Sequence, residues 1–381
     1  MTVKGIFVGN LTVHPANDRE VCWSPDGKHI AFISNRHGGR ALWGMRVKDG
    51  KPAGKPFMIR SEMGNTGLLK WTSKGLACAM FVMPRDIFLM PVDPKTGEPS
   101  DEARMLEYTP TGGNSCPRWS PDGKYLAFAS RKKAGPGYIV VISPDKGEAK
   151  EYQIPSDNYR GFLTDLSWMP DGSGLGFSMF VPNESSSGQV RRLFRLNLET
   201  AEWETWPIPS RFGGTWGPDG STFVFEKSGS HAGIVEWNPY SGEERVIYRV
   251  PEDEKLRTIR GMKFSHDSKK LIFSLNNNLL VVLDMETGKA KTVGSEFMSP
   301  AWSPDNKLIL ALASWEDGWP KTMFVLPAEG GEQTELKLGD MLPKDCHLLQ
   351  PHWSPDGKKI VFETRYTIHE AFLLKNVIPK K

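Results

Sequence analysis

An all-β chain of repeated four-stranded antiparallel sheets is predicted on three observations. Trp-Ser-Pro-Asp, followed by Gly or Asn and then Lys, stands at Trp23, Trp119, Trp302 and Trp353, with degraded copies anchored at Trp71, Trp168, Trp216 and Phe264. These eight anchors are spaced 48, 48, 49, 48, 48, 38 and 51 residues apart, a period that marks a repeat architecture. A second turn phrase keeps the same phase, as DPKTGE at 93–98, NLETAE at 197–202, NPYSGE at 238–243, DMETGK at 284–289 and PAEGGE at 327–332.

The third repeat shows how each element arises. SCPRW enters as an inner strand and meets the turn Ser120-Pro121-Asp122-Gly123, where Pro presets φ and Gly closes the bend. KYLAFAS follows, apolar and too short for a helix, so it reads as the second strand. A loop leads to GYIVVIS, the third strand, and the turn at Pro144–Glu148 leads to AKEYQI, a more polar outer strand. Runs such as IAFIS at 30–34 and LILALA at 308–313 are apolar on both faces, where a half-exposed sheet would alternate. Sheets buried on both faces must stack on each other, and radial stacking closes a propeller.

Eight anchors therefore predict an eight-bladed β-propeller as one domain over residues 1–381. After Trp353 the chain supplies apolar strands only near 358–365 and 369–376 besides the inner one, and the unassigned stretch Ile6 to Val13 resembles an outer strand. The expectation is a ring closed by this N-terminal strand joining the C-terminal blade.

Composition narrows the functional classes. A formal charge of +3, with basic residues spread through the repeats, argues against nucleic acid as a partner. No apolar stretch reaches the roughly 20 residues of a membrane helix. Met1 to Val13 does not read as a signal peptide, so the chain is expected in the cytoplasm, or in the periplasm or secreted if a leader has been removed. A monomer is expected. Cys22, Cys78, Cys116 and Cys346 fall in different repeats without metal spacing and read as buried free thiols. Asp26, Asp122, Asp171, Asp219, Asp305 and Asp356 repeat once per turn round a ring, so they read as turn formers, not as one acidic site. His266 and Ser268 sit in a degenerate copy of the same turn.

Convergence is expected only at the starts of the inner strands, which ring the mouth of a propeller's channel. Reading back from the anchors gives Asp18, Arg19, Asn65, Asn114, Asp165, Arg211, Arg257, Arg260, His347, Gln350 and His352. Loops between second and third strands add Arg36, His37, Arg131 to Lys133, His231, Trp315, Trp319, Arg365 and Tyr366. Arg suits carboxylates, and Trp and Tyr suit ring faces, so the rim has the chemistry of an anionic or sugar-like ligand site. No nucleophile elbow, P-loop, dinucleotide fingerprint or HExxH is present.

The phrase WSPDGK, an apolar strand, Ser34-Asn35-Arg36 and the later TGE turn together resemble the TolB-like propeller repeat over essentially the whole chain. That resemblance implies a scaffold with activity in its loops. TolB itself has six such repeats and an additional N-terminal domain with no counterpart here. The repeat also occurs beside prolyl-oligopeptidase-type peptidase domains and in some polysaccharide lyases. The reading adopted is a non-catalytic propeller that binds a protein segment, or an acidic or neutral oligosaccharide, at its channel mouth, without a cofactor. One alternative is an oligogalacturonate-type lyase, with Arg211, Arg260 or Arg365 neutralising a uronate and His347, His352 or Tyr366 as base. The resemblance to such lyases makes His347, Gln350 and His352 candidates for a divalent metal, although no further histidine stands at an inner-strand start to complete the set. The other alternative is the propeller portion of a peptidase.

Overall fold

The computed structural model describes residues 10–378 apart from 38, 62, 109–112, 132–136, 156–162, 183–188, 209–212, 228–232, 251–257, 277, 314–319 and 341. These residues are all-β and antiparallel, and the eight repeats give eight sheets. The sheets fall into two compact units: residues 85–366, apart from 133–135, form one, and the remainder the other.

The larger unit is a propeller ring of six four-stranded sheets. Five are built from consecutive strands, beginning with Asn114–Trp119, Thr164–Trp168, Gly214–Trp216, Ile259–Phe264 and Phe297–Trp302. The sixth is a hybrid, in the order His347–Trp353, Lys359–Arg365, Arg85–Pro91, Arg104–Met105. The six inner strands touch one another in a closed circle, His347–Trp353 returning to Asn114–Trp119. The smaller unit holds two sheets. One is made of Arg19–Trp23, His29–His37 and Gly39–Lys48, with Lys51–Pro52 and Phe57–Arg60 both pairing to the last of these. The other is Asn65–Thr72, Gly75–Val82 and Ile368–Leu374.

The closure expected from the sequence is therefore corrected. Lys359–Arg365 takes Arg85–Pro91 as its neighbour, in register from Lys359↔Pro91 to Arg365↔Arg85. Gly75–Val82 takes Ile368–Leu374, from Leu76↔Leu374 to Val82↔Ile368. Repeats two and eight have exchanged their third strands; of the N-terminal stretch expected to close the ring, residues 6–9 lie outside the described set and Asn10 to Val13 form no strand.

Local chemistry favours the exchange at one connector. Two-residue hairpins need φ > 0 at one or both central positions. Only Met83 and Pro84 stand between Gly75–Val82 and Arg85–Pro91, and Pro84 is held near φ −65°, which disfavours a direct hairpin there.

The turns behave as the repeat phrase requires. In each full copy the Ser hydroxyl donates to the Asp carboxylate, at 2.6 Å for Ser24–Asp26, 2.7 Å for Ser120–Asp122, 2.8 Å for Ser303–Asp305 and 2.6 Å for Ser354–Asp356. The same carboxylate accepts the amide two residues on, from Lys28, Lys124, Lys307 and Lys358, at 3.0–3.1 Å. Degenerate Ser265-His266-Asp267 forms the identical pair, at 2.6 Å. These bonds hold the Asp122 carboxyl below its ordinary value, the Ser120 hydroxyl most of all.

Between sheets lie the anchors. Trp119, Trp216, Trp302 and Trp353 are buried, and Trp168 and Trp302 donate their indole N–H to the carbonyls of Arg118 and Lys263 on the preceding sheet, at 3.0 and 3.1 Å. Trp23, in the smaller unit, is 48% exposed. All four cysteines are free thiols; Cys78, Cys116 and Cys346 are buried and Cys22 half-buried.

Candidate functional site

A β-bulge recurs three or four residues before the anchor. It shifts the register between Ser115 and Arg118, Thr164 and Ser167, Arg260 and Lys263, Met298 and Ala301, and Leu349 and His352. Cys116, Gly261, Ser299 and Gln350 carry left-handed φ of 56°, 63°, 53° and 51° at these sites. Three are followed by Pro, at Pro117, Pro300 and Pro351, which accounts for the Gln-Pro phrase in local terms. A bulge re-aims the side chains on either side of it.

At the ring's closing seam the bulges bring together residues from two sheets. The Arg118 guanidinium donates to the Gln350 side-chain oxygen and, at 3.4 Å, to the Gln350 carbonyl, while also reaching the Pro117 carbonyl at 2.7 Å. His352 lies close to Arg118, Lys263 and His266; burial first, then these charges, push its imidazole well below the usual range, so it is neutral. Its Nδ1 is buried without a hydrogen-bond partner among the described residues.

At the loop end of the hybrid sheet, His347, Arg365 and Arg85 lie opposite one another across three strands and so share a face. Two residues further along that face is Glu363, 1% exposed. Its carboxylate takes Nη1 of Arg85 at 2.8 Å and the Cys116 amide at 3.1 Å. Burial pushes the Glu363 carboxyl up, opposed by Arg85, the Cys116 amide, Arg365 and Arg118. On the opposite face Asp86 bonds to the Tyr366 hydroxyl; burial pushes both groups up. Asn114, also buried, donates to the Tyr108 carbonyl at 3.2 Å.

The result is a half-buried surface rich in positive charge. Arg118 and Lys263 beside His352, and Arg85 and Arg365 beside Glu363, supply positive charge here, while burial pushes the Glu363 carboxyl up. Such a surface suits carboxylates. It suits a cation poorly: Gln350 spends its amide oxygen on Arg118, and His352 sits among positive neighbours. Among the described residues no three His, Cys, Asp or Glu side chains converge as metal ligands would.

Of the rim residues expected from the sequence, Asn114, Arg260, His347, Gln350, His352, Arg365 and Tyr366 belong to this ring. Asp18, Arg19 and Asn65 do not, because the exchanged strands place their sheets in the smaller unit. Asp165 lies in the strand Thr164–Trp168, but its side chain is outside the described set. Arg211, Arg257, His231, Lys132, Lys133, Trp315 and Trp319 are likewise outside it. Sequence reasoning passed over Arg85, Arg118 and Glu363. A signal was there for the last: Glu363 and Glu226 are buried carboxylates in second strands where the equivalent residues of two other repeats are Ser178 and Ser274.

No family model matches the chain. It is 27% identical over 160 residues to the uncharacterized peptidase YuxL of Bacillus subtilis, a stretch of 42% of this chain and 21% of that protein. The chain thus spans about a fifth of that relative's length. Among solved structures it resembles TolB from Acinetobacter baumannii, with a TM-score of 0.51 and 14% identity over 89% of this chain and 82% of that one. It also resembles a TolB candidate from Agrobacterium tumefaciens, with a TM-score of 0.52 and 19% identity over 75% of this chain and 99% of that one. The fold is that of TolB-like propellers.

Proposed function

We propose that the ring is a non-catalytic binding propeller whose basic channel mouth takes a carboxylate-bearing protein segment or glycan. The row His347–Arg365–Arg85, backed by Arg118, carries this reading. Guanidinium groups on adjacent strands present forked donors to successive carboxylates, and partial burial strengthens each charge-assisted bond. Glu363 holds Arg85 from beneath.

Calorimetric titration with a poly-glutamate peptide and with an acidic oligosaccharide tests this, each against its neutral counterpart. Acidic ligands should bind and Arg365→Ala should weaken them about tenfold or more, the worth of one hydrogen bond to a charged group. Equal binding of the neutral ligands, or no effect of Arg365→Ala, would remove the proposal.

The likeness to YuxL favours a second reading, in which the ring serves a peptidase activity. Under it, short peptides should be cleaved by the intact protein in which the ring resides. A lyase would show itself separately, by growth of ultraviolet absorbance from the unsaturated product on uronate oligomers.

A further inference from the structure

The seam between the ring sheets that begin at Thr164–Trp168 and Gly214–Trp216 departs from the repeat. At the equivalent position of three other ring sheets the second and third strands pair two apolar residues, Ala127↔Val141, Ile272↔Val282 and Leu310↔Val325. Here the pair is Gly176↔Arg195, and Glu204 completes the row on the outer strand. The Trp216 indole of the neighbouring sheet fills the space that a Gly176 side chain would need. Arg195 and Glu204 therefore share the face that meets that neighbour.

The neighbouring sheet answers with Tyr240. In the other copies of the second turn phrase its position holds Lys95, Asp145, Glu199, Glu286 and Glu329, so an aromatic ring stands there at this seam alone. Asn238 fixes the turn, its side-chain oxygen accepting the Tyr240 and Ser241 amides at 2.9 and 3.1 Å. The Tyr240 hydroxyl accepts Nη1 of Arg195 at 2.6 Å and donates to Oε2 of Glu204 at 3.2 Å. Its ring stands edge-on to Trp206, 5.2 Å between centroids. Pinned at its hydroxyl and braced by Trp206, Tyr240 is still 53% exposed.

A cavity of about 290 Å³ opens beside this ring, lined also by Ser173, Arg195, Asn197, Glu202 and Glu204. That is at the lower end of ligand-pocket size, room for one small ring. Its charges are largely paired. Arg195 lies 3.8 Å from Glu204, and Asp171, at the edge, takes the Ser173 amide and hydroxyl at 2.9 and 2.7 Å. An anion would meet Glu202 and Glu204, and a cation would compete with Arg195. Neutral hydroxyls suit the site, because a carboxylate accepts from them and a guanidinium donates to them. A fixed aromatic face offers apolar contact at little cost in ordering.

We propose that Tyr240, Arg195 and Glu204 form a binding site for a single uncharged sugar ring, on the seam between two ring sheets and apart from the channel mouth.

Saturation-transfer NMR of the full chain with methyl glucoside, methyl galactoside and methyl mannoside tests it, with argininamide as the cationic control. Saturable contact with at least one glycoside is expected. Tyr240→Ala should weaken it about tenfold or more through loss of the platform. Tyr240→Phe keeps the ring, frees its edge and guards against misfolding; it should weaken contact by less. Arg365→Ala should leave the affinity as it is, and a loss there would place the sugar at the channel mouth and overturn the proposal. It is equally overturned by no saturable contact in the wild type, by contact that survives Tyr240→Ala unchanged, or by saturation with argininamide in place of the glycosides.

Discussion

Arg85→Ala should destabilise the protein by about 3–5 kcal/mol, because it strips the counter-charge from a carboxylate that is buried in the ring. Glu363 is 1% exposed and the Arg85 side chain 14%, with 2.8 Å between their paired atoms. Removing one partner leaves an uncompensated buried charge, which costs more than the intact pair contributes. Glu363→Gln should cost less, since an amide oxygen still accepts the Cys116 amide. The deficit should also depend on pH. Burial raises the Glu363 carboxyl above its ordinary 4.5, and loss of Arg85 raises it further. A raised carboxyl favours the fold while protonated, and that contribution is lost as pH rises through the folded value. Arg85→Ala should therefore lie close to wild type in mild acid and fall progressively behind toward neutral pH. Urea unfolding of both chains from pH 4 to pH 8 checks the sign; a deficit that shrinks with rising pH would contradict it.

Gly176→Ala should cost about 3 kcal/mol, at the high end for an overpacked core. Gly176 lies in the second strand of its sheet, paired to Ser167 on one side and Arg195 on the other, so the backbone has no room to retreat. A Cβ built there would fall inside the Trp216 indole. That indole is buried and packed edge-on against Trp206 and Phe223. Trp216→Phe should be destabilising alone yet partly rescue Gly176→Ala, and a double-mutant cycle measures the coupling. Strict additivity would show that the two residues do not meet as described.

Much of this was legible in the sequence. The eight anchors, the Ser–Asp turns and the buried thiols follow from local chemistry that each repeat carries complete. Strand partnership is different in kind. A period says that a third strand exists, but not which second strand it joins; Pro84, which disfavours a two-residue hairpin, was the local hint. Arg85 stands in the second repeat by sequence, and only the exchange sets it beside Glu363. The same exchange separates Asp18, Arg19 and Asn65 from the rim that holds His347, Gln350 and Arg365. The count of eight anchors had pointed to a larger circle than the six sheets of the ring.

The exchange of third strands makes residues 85–366 a continuous segment that contains every strand of the ring. Expressing that segment alone is the most direct test. It should show a β-sheet circular dichroism spectrum, unfold in one cooperative transition, and bind the same acidic ligands as the full chain with similar affinity. If Lys359–Arg365 instead depended on Ile368–Leu374 as its neighbour, the segment would lack a strand needed for closure, and an unfolded or aggregated product would contradict the six-sheet ring.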